Sequence, residues 1–333
     1  MGFFKAYDMR GTFGVDFDLE TVRRVGLALP RVVSGSRWLV GRDCRRTSDG
    51  VAEALKEGLR LAGAEVFDLG LSTTPMVYFF TAVDGYDGSV MVTASHNPPS
   101  DNGLKVSRRS STPVGYADGL DKVERLVADS SLSFAGRRGE EHTLDHAEAI
   151  GRYAARLEEL TRGISLSGLK YAVDCSNGMA SLFVRRLFPG ATVINDVLDG
   201  SFPAHSPNPL NPEARKQIAS LVREKNLHCG VIFDGDADRA MFVDENGDFV
   251  QPDYLIPLVA RASMAECAAE GASAQRRTVL HDVRTSRGTV EALEEMGCTP
   301  FMVRVGHAFA KPAMREQSAI CGGELAGHYY FGD

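Results

Sequence analysis

The chain has 333 residues, a length that suggests two or three domains at roughly 100–200 residues each. With 44% hydrophobic residues, 24% charged residues and a net charge of -7, it reads as a folded soluble protein rather than a disordered or fibrous one, and the acidic balance argues against a nucleic-acid surface. No apolar run approaches the roughly 20 residues of a bilayer span, the opening MGFFKAYDMRG lacks a signal peptide's apolar core, and six scattered cysteines (Cys44, Cys175, Cys229, Cys267, Cys298, Cys321) show no zinc spacing, so a cytoplasmic protein with buried reduced thiols is expected.

The opening KAYDMRG gathers Lys5, Asp8 and Arg10 in a short segment that, alone, reads equally as an exposed terminus. An apolar strand, WLVGRDCR (38–45), then ends at Asp43, and VAEALKEGLRLAG follows at helical spacing, closing at Gly63. Lys56 and Arg60 read as a solvated face of that helix. After a second strand, AEVFDLG, and another helical stretch, Val90, Met91 and Val92 form a short buried strand that runs into TASHNPP (93–99). Pro98 and Pro99 remove two amide donors and bias Asn97 toward extended backbone, so the ladder must stop. Ser-Asp-Asn-Gly follows and is turn-forming, which leaves Ser95 and His96 on a rigid loop past a strand's carboxyl end, where open α/β sheets place their chemistry.

The same passage recurs twice. KYAVDCSNG (170–178) ends its apolar run at Asp174, with MASLFVRRLFPG as the helix and ATVINDV as the next strand; TVLHDVRTS (278–286) ends at Asp282, with TVEALEEMG and TPFMVRVG. The helices close at Gly190 and Gly297, both read as C′ glycines. Third strands run into FDGDADR (233–239) and GGELAGH (322–328). Helical connectors at 146–163 and 253–272 separate the passages, and the alternation of strands and helices predicts three α/β units with mostly parallel sheets, at 1–145, 146–248 and 249–333. One large sheet with coincidental similarity is the alternative.

Asp234, Asp236 and Asp238 alternate after the apolar CGVIF, and carboxylates that close repel unless a cation joins them. All-oxygen ligation suits a hard ion such as Mg²⁺. An EF-hand would place glycine where Arg239 stands; a haloacid-dehalogenase-like aspartyl phosphotransferase, with its D-x-D after a strand, stays open as an alternative. Ser95 alone is as consistent with a turn as with a nucleophile, but His96 and Lys105 nearby favour chemistry. Glu324 and His328 sit on a glycine-rich turn able to accept bonds from sugar hydroxyls and to move protons, and RVGHAFAK adds His307 and Lys311.

Taken in order, KAYDMRG, TASHNPP, NGLK, FDGDADR and GELAGH closely resemble the α-D-phosphohexomutases over essentially the whole chain, with the phosphomannomutase/phosphoglucomutase branch most similar. The resemblance implies three related mixed-sheet α/β domains and interconversion of hexose 6-phosphate and hexose 1-phosphate, a phosphosugar substrate with no nucleic-acid, membrane or obligatory protein partner. It implies Ser95 as the phosphoryl carrier, Mg²⁺ held by Ser95, Asp234, Asp236 and Asp238, and hexose 1,6-bisphosphate as activator and intermediate. Arg10, His96, Lys105 and His328 match catalytic positions; Glu324, Arg239, Arg284 and His307 match substrate-binding ones. Two departures stand out: Ala326 replaces the serine usual in the sugar loop, and the sequence shows no counterpart of the family's fourth, phosphate-binding domain. The third domain is therefore expected to be incomplete and the fourth absent, so a poorly active fragment that binds metal and sugar phosphate is a further alternative.

Overall fold

A computed structural model describes residues 2–133, 136–269 and 277–332. The first unit runs β1 (Met9–Thr12), α1 (Leu19–Val32), β2 (Arg37–Arg42), α2 (Ser48–Leu61), β3 (Glu65–Leu71), α3 (Thr74–Val83), β4 (Gly88–Val92), β5 (Asp101–Arg108), β6 (Thr112–Pro113), α4 (Asp121–Ala128) and β7 (Glu141–Thr143). Its sheet has the order β1-β5-β4-β2-β3-β7, with β6 on β5. The helix α5 (His146–Leu160) leads to the second unit: β8 (Tyr171–Asp174), α6 (Val184–Leu187), β9 (Thr192–Ile194), α7 (Pro212–Glu224), β10 (Cys229–Phe233), β11 (Ala240–Val243) and β12 (Phe249–Val250), in the order β12-β11-β10-β8-β9. The third comprises α8 (Leu255–Ala269), β13 (Thr278–Asp282), α9 (Arg287–Glu295), β14 (Thr299–Val303), α10 (His307–Glu316), β15 (Cys321–Gly323) and β16 (Tyr329–Phe331), ordered β14-β13-β15-β16.

One four-strand pattern underlies all three sheets. The first strand of each unit (β2, β8, β13) lies between parallel second and third strands, and the third strand pairs on its other side with an antiparallel return: β5, β11 or β16. The loops at 93–100, 234–239 and 324–328 are therefore the links from each third strand to its return. The first sheet is covered on both faces. Trp38 and Val40 of β2, with Val90 and Val92 of β4, face α1, α2 and α4, while Leu39 and Met91 face α3 and α5. This two-residue alternation within fully buried strands is the pleat made visible. The second of these cores includes Tyr153 of α5 and Phe183, so apolar packing binds the first two units together.

Several helix starts follow the sequence directly: Asp18, Thr73, Asp145, Asn211 and Ser286 each accept an amide of the first turn through their side chains. Four expectations need correction. MASLFVRRLFPG is no continuous helix but a 3₁₀ turn at Met179–Leu182 followed by the single-turn α6, and Gly190, unlike Gly63 and Gly297, has no positive φ. Asp101, Asn102 and Gly103 open strand β5 instead of forming a turn, because the Asn102 side chain bonds Thr47 and Ser48 and the backbone pairs with β1. Lys56 and Arg60 are not a solvated face: buried Lys56 joins Glu53, Asp68 and Glu141 at 2.7, 2.6 and 2.9 Å, and Arg60 meets Glu141 at 2.7 Å. Beyond Glu53, one helical turn away, these cations found carboxylates on β3 and β7 that helical spacing does not show. The sheets, finally, are mixed, as the resemblance implies, and not mostly parallel as strand–helix alternation alone predicts, because each third strand pairs with an antiparallel return. Among the described residues, no helix is long and apolar enough to cross a membrane, and all six cysteines are free thiols.

Candidate active site

Each first strand delivers a buried aspartate to the same end of its sheet. Asp43, Asp174 and Asp282 each accept the amide two residues on, from Arg45 (3.0 Å), Ser176 (2.8 Å) and Arg284 (2.7 Å), and each carboxylate also holds a basic side chain: Arg45, His205 and Arg284. These turns anchor the loops beside which the odd sequences of the third strands converge.

Ser95 stands just past β4 at φ 52, the left-handed region that a non-glycine residue enters only when its surroundings hold it there. Its amide donates to Thr93 Oγ1, and its hydroxyl donates to Asp234 Oδ2 at 2.7 Å, across the boundary between the first two units. Gly235 makes the approach possible, since a Cβ there would lie 2.6 Å from the Ser95 carbonyl oxygen. His96 Nδ1 is 3.4 Å from Ser95 Oγ; burial, with Arg239 and Arg10 nearby, pushes its pKa down to about 3 and keeps the ring neutral.

Asp234, Asp236 and Asp238 bring one carboxylate oxygen each within 4.8 Å of one another. Burial, reinforced by Asp236 and Asp238, raises the Asp234 pKa well above its ordinary value. Burial acts the same way on Asp238, but Lys105, His328 and Arg239 outweigh it and hold that carboxyl well below the usual range. The Lys105 ammonium bridges Asp236 Oδ2 and Asp238 Oδ2 at 2.6 Å each; burial opposes its charge, the two carboxylates prevail, and its pKa is raised. Arg10, paired with Asp8, donates to Asn97 Oδ1 at 3.1 Å. Four buried atoms of this cluster lack hydrogen-bond partners: Asp236 Oδ1, Asp238 Oδ1, Arg10 Nε and Arg239 Nε. Such orphans are costly unless a ligand meets them, and carboxylate oxygens beside guanidinium donors suit a hard cation together with an anion.

The third unit closes on this centre. Gly327 O accepts the Ala240 amide at 3.1 Å, and His328 Nδ1 lies 3.0 Å from Asp238 O, so that ring donates there and presents Nε2 as an acceptor. Burial, helped by Arg239 and Lys105 and opposed by Asp238, lowers the His328 pKa to about 4. Glu324 is buried, receives the Tyr330 hydroxyl at 2.7 Å, and has its pKa raised by burial. Arg284 is partly exposed and tied to Asp282 at 2.6 Å. Ten of the expected residues (Arg10, Ser95, His96, Lys105, Asp234, Asp236, Asp238, Arg239, Glu324 and His328) thus form one connected cluster, with Arg284 at its edge through Asp282, which also accepts the Leu325 amide. The side chain of His307 lies outside the described residues. Lys311 packs its ammonium 3.0 Å from the centre of the Tyr78 ring.

Residues 1–132, 151–247 and 251–333 match the α/β/α domains I, II and III of the phosphoglucomutase/phosphomannomutase family. The chain belongs to that family. A phosphomannomutase of Vibrio cholerae is 34% identical over 99% of this chain and 72% of its own length, and a phosphohexose mutase of Xanthomonas campestris is 37% identical over 98% and 72%. Among solved structures, a phosphoglucomutase/phosphomannomutase family protein of Burkholderia thailandensis superposes with a TM-score of 0.84 at 30% identity, covering 99% of this chain and 72% of the other. Membership in the phosphoglucomutase/phosphomannomutase family places the chain among isomerases that act on hexose phosphates.

Three contributors to the cluster escaped sequence reasoning. Thr74, the first residue of α3, bonds the metal-type loop twice, Oγ1 to Asp236 Oδ2 at 2.5 Å and amide to Asp236 O at 3.1 Å. Tyr330 orients Glu324, and Arg45 grips the Ser95 loop. Thr74 could have been found only from the helix-start signature Ser-Thr-Thr-Pro pointing at a partner far away in sequence; Tyr330 and Arg45 carried no local signal beyond their neighbouring motifs.

Proposed function

We propose that this chain interconverts hexose 6-phosphate and hexose 1-phosphate, of mannose, glucose or both, through a phosphorylated Ser95 and a hexose 1,6-bisphosphate intermediate. The observation that carries the reading is the meeting of Ser95 Oγ with the Asp234–Asp238 loop inside a buried cluster whose unpartnered carboxylate and guanidinium atoms match a cation and a phosphate. Asp234, Asp236, Asp238 and Ser95 would hold Mg²⁺, which when bound neutralises charge on the phosphoryl oxygens.

In the forward half, the bond between Ser95 oxygen and phosphorus breaks as a sugar hydroxyl bonds to phosphorus. The hydroxyl proton passes to a neutral base. His328 would take it, because burial keeps its ring neutral and the bond from Nδ1 leaves Nε2 as an acceptor. Lys105, held protonated by its two carboxylates, is suited to donate and to stabilise charge on the transferring group. In the return half Ser95 Oγ bonds to the other phosphorus of the bisphosphate as that sugar O–P bond breaks, the serine proton ends on the released sugar oxygen, and hexose monophosphate leaves, so no net phosphate is consumed. Arg10, Arg239 and neutral His96 line the transfer point. Glu324 would accept from sugar hydroxyls, with Arg284 as a further substrate contact; a role for His307 is proposed on the resemblance alone.

The test supplies the purified chain with Mg²⁺, a trace of glucose 1,6-bisphosphate, and either glucose 1-phosphate or mannose 1-phosphate. The reading expects 6-phosphate product that disappears with Ser95→Ala. Absence of product from both sugars, or equal product from the variant, contradicts it.

A further inference from the structure

We infer that Arg45, which no part of the site described above assigns to the reaction, is a positioning residue for phosphoryl transfer: it fixes the Ser95 loop in its left-handed, reactive geometry. The inference rests on the reading of Ser95 as the phosphoryl carrier. Arg45 is only 2% exposed. Its Nη1 donates to the carbonyls of Pro98 and Asp101 at 2.6 and 2.9 Å, its Nη2 to those of Ser95 and Asn97 at 2.7 and 2.8 Å, and its Nε to Asp43 Oδ2 at 3.1 Å. All five guanidinium donors are thereby used, three of them on the Ser95 loop and one on the first residue of β5. Carbonyl dipoles converging from four residues repel one another, and a planar cation at their focus turns that repulsion into a rigid arrangement.

The grip is itself anchored from two sides. Asp43 accepts from Ser48 Oγ at 2.5 Å and Thr93 Oγ1 at 2.7 Å besides Arg45, and Thr93 Oγ1 in turn accepts the Ser95 amide, so both ends of the Ser95 peptide unit lead back to one carboxylate. From the second unit, the Phe202 ring lies 5.0 Å from the guanidinium. The turn carrying it packs so tightly on the first unit that a Cβ at Gly200 would be 2.1 Å from Cys44 O. The same ring approaches Gly235 of the aspartate loop, where an added Cβ would meet it at 3.4 Å. Arg45 therefore holds the serine loop, and Phe202 sets that grip against the loop bearing the aspartates.

A lysine keeps the charge beside Asp43 but offers one tetrahedral ammonium, which cannot reach four carbonyls in a plane. In Arg45→Lys, amide hydrogen exchange across residues 93–103 is expected to quicken by at least about tenfold while the rest of the chain keeps its protection. The same variant should lose about 10²-fold in kcat and in the rate at which glucose 1,6-bisphosphate phosphorylates Ser95, with KM changed by less than about threefold. A purely structural role would lower the folded fraction and protection everywhere, leaving kcat per folded molecule intact. If Arg45→Lys does not fold, Phe202→Leu keeps all five hydrogen bonds and is expected to quicken exchange in the same segment and lower kcat by at least about threefold. Unchanged exchange at 93–103, or quickened exchange with wild-type kcat, overturns the inference. A wild-type protein that never becomes phosphorylated at Ser95 overturns the carrier reading, and with it the role in transfer, while the exchange data still report whether Arg45 holds the loop.

Discussion

Replacing Gly235 by alanine adds one methyl group where the two loops touch. The new Cβ would lie 2.6 Å from the Ser95 carbonyl oxygen, about 0.8 Å inside the 3.4 Å at which ordinary contact begins. Neither partner can yield freely: the Ser95 carbonyl is held by Arg45 at 2.7 Å, and the Gly235 carbonyl accepts the Met179 amide at 3.0 Å. Overpacking of this kind costs about 1–3 kcal/mol, which for a chain of this size lowers Tm by roughly 1–4 °C. The displacement falls on the bond between Ser95 and Asp234, and a shift near 1 Å at a reacting group costs on the order of 10²-fold in rate. The measurement is kcat for glucose 1-phosphate conversion alongside the melting curve, with Gly190→Ala as control because nothing lies within 4 Å of its added Cβ. Gly235→Ala with kcat within twofold of wild type would refute the claim that the contact of these loops sets the rate.

Asp236→Asn removes a charged ligand oxygen from the cluster and should weaken Mg²⁺ binding at least about tenfold by titration calorimetry with the fold retained; unchanged affinity removes this carboxylate from the proposed site. His205 places Nε2 3.0 Å from Asp174 and Nδ1 2.8 Å from Ser206 O; burial, the largest single influence, lowers its pKa, but the hydrogen bond and charge of Asp174 together with the Ser206 carbonyl outweigh it and raise the value. Its folded value exceeds the unfolded one, so its contribution is complete below the ordinary histidine range and fades as pH rises through the folded value; the Tm gap between wild type and His205→Gln should be larger at pH 5.5 than at pH 9, and a gap that grows with pH would reverse the assignment. Lys56→Met leaves Asp68 without its cation while Glu141 keeps Arg60, and because Asp68 is about a fifth exposed the cost should be about 2–3 kcal/mol, below that of a fully buried pair, read by urea denaturation.

What the sequence disclosed about this molecule was what repeats or breaks locally. Three apolar runs closing on Asp43, Asp174 and Asp282 marked the first strands, and the Pro98-Pro99 corner marked the end of β4. The antiparallel returns were hidden because the cues that start β5 are turn formers: Asp101, Asn102 and Gly103 join the sheet only because β1 and the Thr47–Ser48 turn are there to pair with them. The acidic loop announced itself by charge crowding, which needs no partner to be noticed. Lys56 and Arg45 were missed for the opposite reason: besides one local carboxylate each, Glu53 and Asp43, their partners are carboxylates or carbonyls from strands and loops distant in sequence, of which helical or strand spacing carries no record. Thr74 is the sharpest case, since its partner Asp236 lies in another unit, 162 positions away.

The central claim is that Ser95 carries the phosphoryl group. Intact-mass spectrometry and peptide mapping of wild type and Ser95→Ala, each incubated with Mg²⁺ and glucose 1,6-bisphosphate, test it most directly. One added phosphate on the wild-type peptide containing Ser95, and none on the variant, is the predicted result; equal phosphorylation of both proteins, or phosphate found on Asp234 or Asp236, would contradict it.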